Sequence, residues 1–99
     1  MAHQVAPRAE TDLEDIWLFV AQDSGSMDVA NRLIDNITDR FYLLADFPNA
    51  GRARDRELGI GRRTFPVGEF MVVYLIEGQD VLILRVVHGR RDLEHLFGI

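Results

Sequence analysis

The chain has 99 residues, no cysteine, 47% hydrophobic and 27% charged residues, and a formal net charge of −5. That length and balance describe one soluble domain spanning residues 1–99 and not a disordered chain. The lack of thiols excludes a disulfide framework and any thiolate-held metal. No apolar run approaches the roughly 20 residues that span a bilayer, and MAHQVAPRAE lacks the apolar core of a signal peptide. The expected location is the cytoplasm.

In chain order, Gln4 to Ala6 reads as a short strand ended by Pro7, which suits the first turn of a helix because its missing N–H is not needed there. Ala9, Leu13, Ile16, Trp17 and Val20 then form an apolar stripe along one helix face. Glu10, Asp12, Glu14 and Asp15 lie near its start, where acids complement the helix dipole. Asp23 to Ser26 reads as a turn, with Ser26 as the N-cap of a second helix and about five residues joining the two helices. That helix carries Ala30, Leu33, Ile34, Ile37, Phe41 and Leu44, and Asp46, Pro48, Asn49 and Gly51 stop it. Two such helices should lie antiparallel as a hairpin.

The second half changes period. Arg62 to Val67 reads as a strand whose Pro66 favours an edge position or a short strand. Phe70 to Ile76 is a continuous apolar run that suits a central strand covered on both faces. Gly78 marks a tight turn, and Val81 to Val87 returns antiparallel. Alternation puts Leu82, Leu84 and Val86 on one face and Val81, Ile83, Arg85 and Val87 on the other. Because arginine is rarely buried without a partner, the face holding Arg85 is expected to look toward solvent or a bound protein. The fold class is α+β: an N-terminal strand and a helical hairpin packed on a small, mostly antiparallel sheet, in the order βααβββ, with a short C-terminal tail or helix.

All eleven basic residues are arginine; residues 1–50 hold three of them against nine acids, and residues 51–99 hold eight against seven. A protein that works by gripping phosphates is usually basic overall, so direct, specific DNA binding by this chain alone is not expected. Arg52, Arg54 and Arg56 alternate with Asp55 and Glu57 and read as a solvated loop laced with weak ion pairs. His88, Asp92 and His95 make too small a set for a metal site; His88 reads as a strand-end residue that hydrogen-bonds locally. Gly59-Ile60-Gly61 is a turn and not a phosphate loop, since no Lys-Ser/Thr pair follows. No cofactor is implied.

Taken together, Ala9, "DLEDIW" at 12–17, the helix pair, "FPNAG" at 47–51, an arginine at Arg62 or Arg63, and "VVYLIEGQDVLILRVVHGRRDL" at 72–93 resemble the ParE branch of the ParE/RelE toxin superfamily over nearly the whole chain. The resemblance implies a type II toxin held inactive, in a hetero-oligomer, by a small antitoxin whose C-terminal segment wraps it. It also implies one of two activities, inhibition of DNA gyrase in the ParE branch or ribosome-dependent mRNA cleavage in the RelE branch. Relatives that cleave mRNA carry an arginine at the start of the "VVY" strand, another after the last strand, and a C-terminal tyrosine or histidine. Here those positions hold Met71, Arg91 and Phe97, with His95 close to the last. Cleavage without metal needs an acid or base and cations for the developing phosphate charge, and two of the three roles are empty. The pattern favours gyrase inhibition by binding, with no catalytic residue. The alternatives are an mRNA endoribonuclease and a non-toxic partner-binding member.

The expected target surface is Arg85, Arg90 and Arg91 with the tail residues Leu93, Leu96 and Phe97. Pairing of these arginines with Asp92, Glu94 or the acids of the first helix is the plainer reading. The expected antitoxin surface is Val81, Ile83, Arg85 and Val87 on the open face of the last strand, with Arg62 and Arg63. No membrane partner is implied.

Overall fold

The structure, a computed structural model, describes residues 2–89 together with Asp92 and His95. It opens with β1 (His3–Val5), after which α1 (Pro7–Ser24) begins on Pro7 in its first turn and ends on Gly25, whose φ of 67° is the left-handed value that terminates helices. α1 runs through Ser24, so only Gly25 and Ser26 separate it from α2 (Met27–Asp46), a shorter link than the turn read from Asp23 to Ser26. The Ser26 hydroxyl accepts from the Val29 N–H at 3.2 Å and caps α2 as expected. Across the hairpin Trp17 Nε1 donates to Asn31 Oδ1 at 2.7 Å, so its indole clips the two helices together.

A short 3-10 turn (Pro48–Ala50) leads into β2 (Arg52–Ala53), α3 (Asp55–Leu58), β3 (Arg62–Val67), β4 (Phe70–Glu77) and β5 (Asp80–His88). The sheet order is β1-β5-β4-β3-β2, with β1 parallel to β5 and every other pair antiparallel. β4 is therefore central, as its apolar run implied. Pro66 stands where β3 has passed the two residues of β2, so its missing N–H breaks no ladder.

One side of the sheet takes the hairpin. Ala9 from α1 and Ile37, Phe41 and Leu44 from α2 meet Val72, Tyr74, Val81, Ile83 and Val86 in a single buried cluster. Each large side chain removed from water in this way contributes about 2 kcal/mol. Tyr74 keeps a polar end inside that cluster. Its hydroxyl accepts from Gly51 N–H at 2.8 Å and donates to Pro48 O at 2.7 Å, pinning the chain after α2 to the central strand. A Cβ at position 51 would collide with the Tyr74 ring and hydroxyl and lie 2.8 Å from Thr64 O. This close approach is the physical reason for glycine at the end of "FPNAG".

The face assignment on β5 needs correction. Val81 and Ile83 are fully buried in the core and Val86 nearly so, whereas Leu82 and Leu84 are only half-buried. Val73 pairs with Arg85 while the next residue, Tyr74, pairs with Ile83, so Leu84 is an extra residue in the ladder. A β-bulge of this kind shifts the alternation by one residue. Strict alternation therefore gives the wrong face for Val81 and Ile83 and the right one for Val86.

Candidate functional site

α1 and the far end of β5 are joined through Asp12. Its carboxylate, on a residue only 8% exposed, accepts from Arg85 Nε at 2.8 Å, Arg85 Nη2 at 3.2 Å and Val86 N–H at 2.9 Å. Arg8 stands 3.9 Å away on the preceding turn of α1. Two guanidinium bonds and one backbone bond satisfy a carboxylate that burial alone would penalise. The hydrogen bonds that Arg85 donates to Asp12 hold the proton on Arg85 more firmly than usual; partial burial opposes this, and the charges of Asp12 and Asp92 add to it. The signal for this contact is present in the sequence. Position 12 lies three residues after Ala9 and four before Ile16, on the apolar stripe, so an acid there faces inward instead of serving the helix dipole.

Beside this pair, α1 and the ends of β4 and β5 enclose an open groove of about 780 Å³. Ile16, Phe19 and Val20 line it from α1, Leu33 from α2, and Phe70, Val86 and Val87 from the sheet. Phe19 is 64% exposed, a large apolar side chain that no element among the described residues covers. Asp12, Asp15, Asp23, Glu69 and Asp92 also line the groove, against Arg8, Arg85 and His88. His88 ends β5 as expected. Its N–H donates to Asp92 Oδ2 at 3.2 Å, and its ring meets Phe70 edge-on with centroids 5.9 Å apart. Among the described residues no group of three or more His, Cys, Asp or Glu is placed to hold a metal ion.

The structure separates the residues expected to bind partners. Val81 and Ile83 are core, and Val87 is 4% exposed, so these three side chains form no open face. Arg85 is held by Asp12, in line with the plainer reading of that arginine. Arg63 reaches Gly51 O at 3.1 Å and Asn49 O at 3.3 Å and so fastens the turn after α2. Arg62 is half-exposed at the start of β3. Arg90, Arg91, Leu93, Leu96 and Phe97 lie outside the described residues. Met71 pairs with Val87 and Pro66 within the sheet, close to the groove. The groove wall of Ile16, Phe19 and Phe70, in which Phe19 is exposed and the other two are half-buried, was missed because Phe19 falls off the main stripe of α1.

Comparison with known proteins gives this arrangement a family. The model of the "ParE toxin of type II toxin-antitoxin system, parDE" matches residues 4–93. Toxin ParE3 of Caulobacter vibrioides is 37% identical over 87 residues, 88% of this chain and 85% of the relative. The fold is shared with a structure described as the chromosomal ParDE TA system from P. aeruginosa, at a TM-score of 0.77 and 23% identity over 89% of this chain and 95% of that one. It is also shared with the toxin–antitoxin complex RelBE2 from Mycobacterium tuberculosis, at a TM-score of 0.67 and 22% identity over 88% and 95% of the two chains. No helix among the described residues is long and apolar enough to cross a membrane. Matched over almost its whole length, the chain belongs to the ParE toxins of type II toxin–antitoxin systems.

Proposed function

We propose that this ParE-family toxin arrests growth by binding DNA gyrase, with no chemistry of its own, and that an antitoxin encoded beside it neutralises it in a hetero-oligomer. The observation that carries this reading is the charge of the groove. Five carboxylates line it against Arg8, Arg85 and one histidine, and Arg85 is already engaged by Asp12. An RNA strand entering there would bring phosphates among carboxylates. Its cleavage would need cations in place to meet the charge that develops in the transition state. At the position where RNA-cutting relatives are expected to carry an arginine, this chain has Met71.

The same groove suits the antitoxin. An amphipathic helix or extended segment with apolar side chains for Ile16, Phe19 and Phe70 would seat there. Lysines or arginines on that segment would meet Asp15, Asp23 and Glu69. This docking site replaces the face of Val81, Ile83 and Val87. The ParDE and RelBE2 structures, both of toxin–antitoxin systems, support a partner of this type.

Two assays run side by side test the proposal. Purified toxin should inhibit gyrase supercoiling and leave mRNA intact in a translating extract, and His95→Ala should change neither result. Ribosome-dependent mRNA cleavage that His95→Ala silences would replace gyrase inhibition with the ribonuclease reading. Antitoxin binding with no activity in either assay would identify a non-toxic member.

A further inference from the structure

Across the sheet from the groove, the arginine-rich segment folds into an ordered lobe. Arg54 N–H donates to Arg62 O at 2.8 Å, Leu58 N–H to Arg54 O at 2.8 Å, and Arg62 N–H to Gly59 O at 3.2 Å. The Asp55 carboxylate accepts from Gly61 N–H at 2.9 Å, closing the turn from the inside. Gly59 and Gly61 have φ of 111° and 82°, values that L side chains rarely adopt, so glycine on both sides shapes the tip. Ile60 stands between them at 90% exposure, the highest of any large hydrophobic side chain described.

The arginines of this lobe divide into two sets. Arg54 bonds Thr64 Oγ1 at 2.9 Å and Arg63 bonds backbone carbonyls, so both fasten the lobe to the sheet. Among the described residues, Arg52, Arg56 and Arg62 form no ion pair. Arg52 and Arg56 thus lack the ion pairs expected with Asp55 and Glu57, and Asp55 accepts from a backbone N–H. Residues 52–63 hold five arginines against two acids, in a chain whose net charge is −5. An isolated exposed isoleucine needs no explanation. This one is displayed by a hydrogen-bonded turn beside Arg52, Arg56 and Arg62, which form no ion pair among the described residues. Such an arrangement gains stability when carboxylates arrive around the isoleucine, because guanidinium forks match them in pairs.

We infer that this lobe is an anchoring contact for the toxin's protein target, with Ile60 entering an apolar notch and Arg52, Arg56 and Arg62 meeting acidic side chains around it. The inference rests on the reading that the chain acts by binding. A protein face is favoured over nucleic acid because a phosphate backbone offers no notch for Ile60 and an acidic chain is repelled by it. The lobe is also remote from the proposed antitoxin groove. Arg62 pairs with Leu75 near one end of β4 while Phe70, in the groove, lies at the other, and β2 is the sheet edge opposite β1.

The test compares the full-length toxin with Ile60→Asp and with Arg52→Glu/Arg56→Glu, which change exposed side chains and should leave the melting temperature within about 2 °C. Growth arrest on induction, inhibition of purified gyrase and affinity for the antitoxin are measured for each. Both variants should need at least about tenfold more toxin for arrest and for gyrase inhibition, with antitoxin affinity unchanged. Variants as potent as the wild type overturn the inference and leave the proposed function standing. Wild-type arrest without gyrase inhibition overturns the proposed target instead, and the lobe is then judged by arrest alone. A wild type that arrests nothing overturns both. Binding of a duplex of about 40 base pairs at about 0.15 M salt, lost in the arginine variant and kept in Ile60→Asp, would make the lobe a phosphate site and overturn the inference. Self-association of the wild type that both variants abolish would also overturn it, in favour of a second copy.

Discussion

The groove between α1 and β5 and the lobe around Ile60 sit at opposite corners of one small sheet and treat charge in opposite ways. In the groove the principal cation, Arg85, is engaged by Asp12 in a bidentate pair, and what remains for a partner is a set of apolar side chains among acids. In the lobe Asp55 accepts from the Gly61 N–H, and Arg52, Arg56 and Arg62 form no ion pair among the described residues. An arginine that closes an internal pair is part of the architecture, whereas one left without a counter-charge beside an exposed apolar side chain is available to a partner. Both kinds occur within one list of eleven arginines, and composition does not tell them apart.

The contrast can be broken most directly at Asp12. Replacing Asp12 with Ala strands the Arg85 guanidinium and the Val86 N–H, and should cost about 3 kcal/mol, the lower end for a buried pair because Arg85 keeps some solvent. At roughly 4–8 °C per kcal/mol for a domain of this size, the melting temperature should fall by more than about 10 °C. A drop below about 3 °C would mean that the pair is not architectural and that Arg85 is free for a partner. A somewhat smaller effect is expected in the groove. Phe19→Asp should weaken antitoxin binding about a hundredfold, roughly 2.7 kcal/mol, while gyrase inhibition persists. Calorimetric titration beside the supercoiling assay reads both, and equal loss of the two would merge the surfaces that are here kept apart.

Away from both surfaces, Gly51→Ala drives a methyl group into Tyr74 and should cost about 2 kcal/mol in chemical denaturation. Tyr74→Phe removes the hydroxyl that pairs with Gly51 and Pro48 and should cost about 1 kcal/mol. Neither should alter antitoxin affinity per folded molecule; a change in affinity would tie this latch to the groove. The smallest expected effect is a null one. Because the proton affinity of Arg85 is raised, its share of stability is complete below the ordinary arginine range and is lost only as pH climbs above that range. The difference in melting temperature between wild type and Arg85→Met should therefore stay constant from about pH 7 to about pH 10. A slope in that window would mean that another titrating group shares the contact.

Much of this molecule was legible before any coordinates. Pro7 and Ser26 fell where the helices begin, the apolar run from Phe70 became the central strand, and His88 ended β5 with a local hydrogen bond. These features depend on residues close in sequence, through the fixed φ of proline, a side-chain cap and the spacing of apolar positions. The family too was legible, since "DLEDIW", "FPNAG" and the long terminal motif occur in order. Which side chains of β5 pack inward was not, because that expectation rested on strict alternation, which assumes that each residue has one partner across the ladder.

From its residues alone the chain determined its α+β class, the order of its longer elements and its membership of the ParE toxins, because periodicity and ordered motifs are properties of the string; β2 and α3 lie in a segment that reads as a loop. Only the tertiary structure decided which side chains meet. Leu84 became an extra residue in β5, Val81 and Ile83 turned inward, and Asp12 met Arg85 and Val86, 73 and 74 positions away. Asp55 turned to Gly61, and Arg52 and Arg56 stayed exposed. Each of these outcomes was a competition for one carboxylate or one ladder position. The winner was the group that packing brought within about 3 Å, the distance at which a hydrogen bond forms, and no spacing in the sequence encodes that distance.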